Sequence, residues 1–375
     1  MTARRPDAIV VGAGIVGAAC AVALARDGLR VLVLDAASAA LGTTAAGMGH
    51  IVVMDDSPEQ LALTRYSEQL WKRESDALQK SSELEWCGTI WVAEDEAQLA
   101  AMHAKQRVYG EWGIPTEVLD EKSLLEAEPN LRRGLVGGLL VPSDGVIYPP
   151  SAAVALLERA RELGAEILER MPVDEIVAGG VRVGVDTLCA DVVVNAAGAA
   201  AAALTPQLPV VPRKGHLVIT ERHPGFCRHQ VVELGYLTSA HVMTNESVAF
   251  NVQPRITGQV LIGSSRELVG WNTSINRRVV GRMVERACAF MPGLATLSAV
   301  RTWTGFRPAT PDKLPLIGRW SETPGLWIAA GHEGLGITTS LGTAAILADL
   351  VAGREPAIDP TPYVPDRGIP VGAHD

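Results

Sequence analysis

Short, mainly apolar runs set the rhythm of the chain, at 8–11, 30–34, 192–198 and 326–330. Each is too short for a buried helix and stops at a glycine or an acid, so each reads as a strand buried on both faces. The stretch after the first run, 18–27, is rich in alanine and leucine and ends at Gly28, which predicts a helix closed by a C′ glycine. An amphipathic helix is predicted at 151–164 and an alanine-rich one at 337–353. Residues 57–128 turn helical and charged around a strand-like segment at 88–92. Further strands are predicted at 215–220, 247–253 and 259–263, separated by Pro/Gly connections. Continuous apolar strands alternating with helices imply a parallel sheet covered on both faces, and the later strands imply a second, mainly antiparallel sheet. The fold class expected is α/β, α+β overall.

Composition narrows this picture without redirecting it. At 375 residues the chain has room for about two domains of roughly 150 residues each. With 47% hydrophobic and 20% charged residues it is of soluble globular type, and a net charge of -9 argues against a general nucleic-acid binder. Cys20, Cys87, Cys189, Cys227 and Cys288 show no CxxC or His/Cys ligand spacing, so neither a zinc site nor a disulfide framework is expected. The polar start at 1–7 carries no leader pattern and no run has transmembrane length. A cytoplasmic protein is expected, with peripheral attachment at the inner membrane face and homo-oligomerisation left open.

The first apolar run leads directly into Gly12-x-Gly14-x-x-Gly17, with Ile15 and Val16 between the last two glycines. Gly12 permits a tight strand-to-helix turn, Gly14 lets backbone approach a pyrophosphate, and Gly17 allows close helix packing. The helix start offers unpaired N–H groups and positive dipole to phosphate. Asp35 ends the next strand, where a ribose hydroxyl would be met. A dinucleotide site follows, with NAD and FAD both open at this point.

Three later stretches bear on the choice. The small-residue loop 42–50 contains Thr43, Thr44, Ala46, Gly47 and Met48; its backbone can pass close to a flat ligand. The stretch 301–318 reads Arg301-Thr-Trp-Thr-Gly305-Phe-Arg307-Pro-Ala-Thr-Pro-Asp312-Lys-Leu-Pro315-Leu-Ile-Gly318. The loop Gly331-His332-Glu333-Gly334-Leu335-Gly336-Ile337 lies between a strand and a helix. Together they resemble the FAD-dependent D-amino-acid oxidase superfamily, in its branch of glycine oxidase-like and D-hydroxyproline dehydrogenase-like enzymes, over residues 8–350. The resemblance implies noncovalent FAD, since no cysteine lies near 313–318, where sarcosine oxidase-like relatives attach flavin.

In that family the arginine after the glycine binds the substrate carboxylate, which assigns Arg307 this role. A planar guanidinium suits it, gripping a carboxylate through two parallel hydrogen bonds. The resemblance also places Ala197 and Gly198 at the return of the cofactor domain, Val173 near the adenine, and 331–337 against the pyrimidine end of the flavin. Many relatives carry Arg-Asn-Gly where this chain has Glu333-Gly334-Leu335, so a second substrate arginine is not expected from this loop. His50 has no role assigned.

Period-two alternation puts Asn251 and Gln253 on one strand face as candidate substrate contacts, with Phe250 and Val252 on the other. The expected activity is oxidation of the C–N bond of glycine, sarcosine, a D-amino acid or a D-proline/D-hydroxyproline type imino acid, by hydride transfer to flavin N5. No residue is expected to act as a catalytic base, and no metal is expected. The electron acceptor is oxygen or a quinone-type carrier. A flavin-dependent 2-hydroxy-acid dehydrogenase and a noncatalytic FAD subunit are the competing classes. The FAD domain is expected at 1–80, 140–210 and 300–360, the substrate domain at 81–139 and 211–299, and a loose tail at 361–375.

Overall fold

The apolar runs line up side by side at the centre of a six-stranded sheet, ordered Leu316–Arg319, Leu326–Ala330, Val192–Asn195, Ala8–Val11, Val31–Leu34, Glu166–Leu168. The five strands after the first are mutually parallel; Leu316–Arg319 runs antiparallel to its neighbour. This computed structural model describes residues 5–235 and 246–368. The helices Ile15–Arg26, Pro149–Glu162 and Gly336–Val351 pack together on one face, burying Ala18, Leu24, Leu156 and Leu347 against Val10 and Val33. The other face is closed by Leu208, Val210 and Val181, the last from a small meander of Glu175–Val177, Gly180–Val183 and Asp186–Cys189. Burial on both faces is why these strands lack alternation.

A second sheet of eight strands is ordered Ala299–Ala309, Val211–Thr220, Val260–Glu267, Glu246–Pro254, Gln230–Glu233, Thr89–Ala93, Gly137–Val141, Glu117–Leu119. All its pairings are antiparallel except that of Gln230–Glu233 with Thr89–Ala93. The expected mixed architecture is therefore the observed one. Sheet membership differs from the expected segments at two places. Ala299–Ala309 pairs along its whole length with Val211–Thr220, and so lies in the second sheet although 300–360 was assigned with the first. Gly137–Val141 crosses the expected break at 140 for the same reason, pairing with Thr89–Ala93.

One face of the second sheet is covered by the helix Arg277–Phe290, which is not among the expected elements. Its buried residues Val279, Met283, Ala287 and Phe290 recur at helical spacing, an amphipathic stripe legible in the sequence despite the arginines around it. Asn276 caps it by accepting from the Val279 N–H, and Phe250 stacks on Phe290 at 4.3 Å between centroids. Phe250 and Val252 thus face this core, as the alternation requires.

The tail is docked rather than loose over its described part. Tyr363 is buried and donates to the Glu59 carbonyl at 2.6 Å, and Arg367 donates to Asp312 and to the carbonyls of Leu314 and Pro315. Residues 369–375 of the expected tail, and 1–4 at the start, lie outside the described residues. Among the described residues no helix is long and apolar enough to cross a membrane, and no cluster of metal-ligating side chains occurs.

Candidate functional site

A cleft of about 1070 Å³ runs between the two sheets. At one end the strand Ala8–Val11 turns through Gly12, at φ 110°, into the helix Ile15–Arg26. A Cβ on Gly12 would lie 2.5 Å from the Ala196 carbonyl oxygen, and one on Gly17 would lie 1.9 Å from that of Gly12. Both glycines therefore hold the turn shut from behind, while Gly14, Ile15 and Val16 line the cleft itself. Gly14 is the extended N-cap and supplies no side-chain cap, so the helix start presents backbone N–H groups; that of Ile15 donates to Thr44 Oγ1 at 3.0 Å. Asp35 does not line the cleft. Its carboxylate accepts from the N–H groups of Ala13 and Ala37 at 2.7 and 2.8 Å, fixing the glycine turn and leaving further lone pairs. Val173 is half-buried in the apolar cluster on the sheet's far face. Gly198, at φ 58°, lines the cleft; Ala197 does not, its N–H donating to Asn195 Oδ1.

The short helix Thr43–Ala46 forms one wall. Thr43 donates to the Phe306 carbonyl at 2.6 Å, tying this wall to the strand Ala299–Ala309. Gly305 makes the approach possible, because a Cβ there would sit 2.4 Å from Ala46 Cβ. Thr44, Ala46, Gly47 and Met48 also line the cleft. Gln253 is fully buried and its amide donates to the Met48 carbonyl at 2.8 Å. It braces the loop and is absent from the cleft lining, so the substrate contact expected of it is not what the structure places there.

Arg307 does line the cleft. Its Nη1 donates to the Ser265 carbonyl at 3.0 Å, and its guanidinium crosses directly over Gly215, where a Cβ would lie 2.3 Å from Nη1. Asp312, five residues further on, is gripped by Arg367. Asn251 lines the cleft with its Oδ1 buried and without a hydrogen-bond partner. His50 and His332 line it too, each pushed down to about 3 by burial, with the Arg307 charge adding to the effect at His50. Both imidazoles are therefore neutral. His332 meets Thr343 Oγ1 at 3.0 Å.

The far wall is the 331–337 loop. Gly331, at φ 79°, packs behind it, as a Cβ would meet Thr310 at 2.6 Å. Glu333, Gly334, Gly336 and Ile337 line the cleft, and the helix Gly336–Val351 starts there without a side-chain cap from Leu335. Two helix N-termini thus face one cleft, and glycines and alanines such as Gly14, Ala46, Gly47, Gly198, Gly334 and Gly336 make up much of its lining. That donor set and flat, small-residue lining fit a dinucleotide diphosphate and a planar ring.

Sequence reasoning missed a second cavity of about 710 Å³ that shares His50, Asn251, Glu333 and Gly334 with the cleft. Leu335 belongs to it, together with Asp56, Arg213, Arg266 and Lys313. Glu333 lies 3.5 Å from Arg213 and 3.6 Å from Arg266, with its backbone at φ 48°. Burial lowers the pKa of Lys313, opposed by the Asp56 charge. Arg213 is the direct cross-strand partner of Arg307, a relation that exists only once strands far apart in the chain have paired. The one sequence cue was that Lys313 falls inside the Arg307 stretch.

The family of FAD dependent oxidoreductases matches this chain over residues 7–350. The chain is 28% identical over 374 residues to glycine oxidase of Pseudomonas aeruginosa, covering 95% of this chain and 98% of that protein. It is 29% identical over 421 residues to hydrogen cyanide synthase subunit HcnC of the same organism, covering 98% and 97%. The crystal structure of glycine oxidase from Geobacillus kaustophilus superposes with a TM-score of 0.88 at 27% identity, covering 98% of this chain and all of that one.

Proposed function

We propose that this chain, which belongs to the family of FAD-dependent oxidoreductases, oxidises the C–N bond of a small amino or imino acid held by its carboxylate at Arg307. The observation that carries the reading is the guanidinium lying over Gly215 inside the cleft, with Nη1 anchored on the Ser265 carbonyl. Bound FAD supplies the two-electron acceptor for the hydrogen on the substrate α-carbon. The chain's own work is positioning. Arg307 orients the carboxylate by paired charge-assisted hydrogen bonds. Asn251 Oδ1 accepts a hydrogen bond from the substrate amine, which keeps the nitrogen lone pair directed along the cleft. His50 and His332 stay neutral and add no charge to compete for the carboxylate. The amine gives its extra proton to solvent water on entering the cleft, so no protein base is required. The imine product hydrolyses in water, or persists as a cyclic imine when the substrate is proline-like.

For the cofactor, we place the diphosphate at Gly14, Ile15 and Val16 with Thr43 and Thr44, the ribose toward Asp35, the adenine toward Val173 and the pyrimidine end at 334–337. The cofactor domain spans 1–80, 140–210 and 300–360 and the substrate domain 81–139 and 211–299, with Ala299–Ala309 shared through its pairing in the second sheet. FAD is held noncovalently. In support, none of the five cysteines lines the cleft. Acid precipitation should leave the yellow colour in the supernatant; a yellow pellet refutes this. The acceptor is oxygen or a quinone-type carrier. The reading is tested by adding amino acids, imino acids and 2-hydroxy acids to the holoenzyme without oxygen: bleaching by amines supports it, and bleaching by hydroxy acids alone replaces it with a hydroxy-acid dehydrogenase.

A further inference from the structure

Asn251 and Ser264 both line the cleft and are only 5% and 2% exposed. Neither Asn251 Oδ1 nor Ser264 Oγ has a hydrogen-bond partner among the described residues. A buried polar atom left unpaired is costly, and in a binding cleft the partner that relieves the cost is a ligand. The two residues are near neighbours. Asn251, in the strand Glu246–Pro254, is registered opposite Gly263, one residue before Ser264 in the strand Val260–Glu267. Ser265, one residue after, is the one whose carbonyl receives Arg307 Nη1. Strict alternation would send Ser264 to the face opposite Asn251, but the register of this pair shifts between Val248 and Asn251, and both residues line the cleft. Two orphaned atoms thus lie beside the anchor of the guanidinium that takes the carboxylate. His50 Nε2 is unpartnered too, but it rides on the 42–50 loop and not on these strands.

Both atoms can accept: one is an amide oxygen, the other a hydroxyl oxygen with two lone pairs. A neutral primary amine offers two N–H groups and one lone pair, whereas a secondary amine offers a single N–H. Resting on the amine-oxidation reading above, we propose that the site selects α-amino acids with a free NH2 group, one N–H donating to Asn251 Oδ1 and the other to Ser264 Oγ. With both hydrogens held, the lone pair is left to form the C=N bond as the α-hydrogen departs with its bonding electrons to FAD. The nitrogen keeps both N–H groups through that step and gains positive charge, so both hydrogen bonds strengthen in the transition state. An N-alkyl or cyclic imino acid fills one acceptor and leaves the other buried and unpaired, at a cost of roughly tenfold or more in rate.

The test uses FAD-loaded enzyme under anaerobic conditions and compares flavin reduction by glycine with that by sarcosine, and by each enantiomer of alanine with the same enantiomer of N-methylalanine and of proline. The best substrate should be a primary amine, ahead of its N-methyl counterpart by about tenfold or more in kcat/KM. Ser264→Ala should cut that ratio at least about threefold, through kcat more than KM, with FAD content and the position of the flavin band unchanged. Asn251→Ala should cut it likewise and carries the test should Ser264→Ala not fold. Preference for a secondary amine, or a ratio unmoved in the folded variants, overturns the paired-acceptor site and leaves amine oxidation standing. A Ser264→Ala protein that loses FAD or shifts its flavin band while the ratio holds overturns it too, since the hydroxyl then serves the flavin. Bleaching by no amine, together with bleaching by 2-hydroxy acids, overturns the reading beneath it and this inference with it.

Discussion

Replacing Gly215 by alanine puts a methyl group where the Arg307 guanidinium lies. The added Cβ would stand 2.3 Å from Nη1, 2.9 Å from Cζ and 2.9 Å from the Ser265 carbonyl oxygen, whereas ordinary contact begins at 3.4 Å. The backbone at Gly215 is not left-handed, so alanine meets no conformational penalty and the collision falls on the side chain opposite. The guanidinium must retreat by about 1 Å, and it cannot do so while keeping its bond to Ser265. A misplacement of that size costs up to about 100-fold in rate. Loss of one charge-assisted hydrogen bond to the carboxylate, about 1.5–3 kcal/mol, corresponds to roughly 10- to 150-fold. Either route can give a drop in kcat/KM on the order of 100-fold, with FAD content unchanged. Stopped-flow flavin reduction, alongside the visible spectrum for bound FAD, measures both quantities. An FAD-replete Gly215→Ala enzyme within twofold of the parent would refute the placement of the carboxylate at Arg307.

Three further outcomes follow from named contacts. Gly17→Ala drives a methyl into the Gly12 carbonyl at 1.9 Å; the protein should purify with less than about a tenth of its FAD or fail to fold, and full occupancy in the purified variant contradicts the role given to the turn. Burial lifts the Asp144 carboxyl from 3.8 to about 8, against the opposing hydrogen bonds of Thr89 and the Val53 N–H. The folded state therefore binds the proton more tightly than the unfolded chain, and stability falls as pH rises from about 4 to about 8. Urea unfolding of Asp144→Asn should lack this decline, gaining on the order of a few kcal/mol over the parent at pH 8.5 relative to pH 5; parallel pH profiles would count against it. Arg367→Ala frees Asp312 and the carbonyls of Leu314 and Pro315 and should lower stability by about 1–3 kcal/mol, read as a shift in the urea midpoint; an unchanged midpoint means the tail contributes nothing.

What was legible in the sequence were the features written in consecutive residues. The glycine turn at Gly12–Gly17, the loop at 43–48 and the Arg307 stretch each carry their chemistry within one segment, and each sits at the cleft. Alternation correctly separated Asn251 and Gln253 from Phe250 and Val252. It could not tell that Asn251 opens into the cavity while Gln253 is spent on the Met48 carbonyl, because that depends on which loop lies across the strand. Arg213, Arg266 and Gly215 were invisible for a related reason. Their relation to Arg307 is a matter of strand register, set by the pairing of Val211–Thr220 with Ala299–Ala309 and Val260–Glu267. The helix Arg277–Phe290 was legible in the helical spacing of Val279, Met283, Ala287 and Phe290 although it is not among the expected elements, whereas the docking of 361–368 hid in one tyrosine and one arginine.

The central claim is that this cleft holds FAD beside a carboxylate-bearing amine, and the visible spectrum of the purified protein during anaerobic addition of amino and imino acids tests it most directly. The expected result is a yellow protein whose flavin band bleaches with an amine substrate and whose bleaching is lost or slowed at least tenfold in Gly215→Ala. A colourless protein that cannot be reconstituted with FAD, or a yellow one bleached only by 2-hydroxy acids, would contradict it.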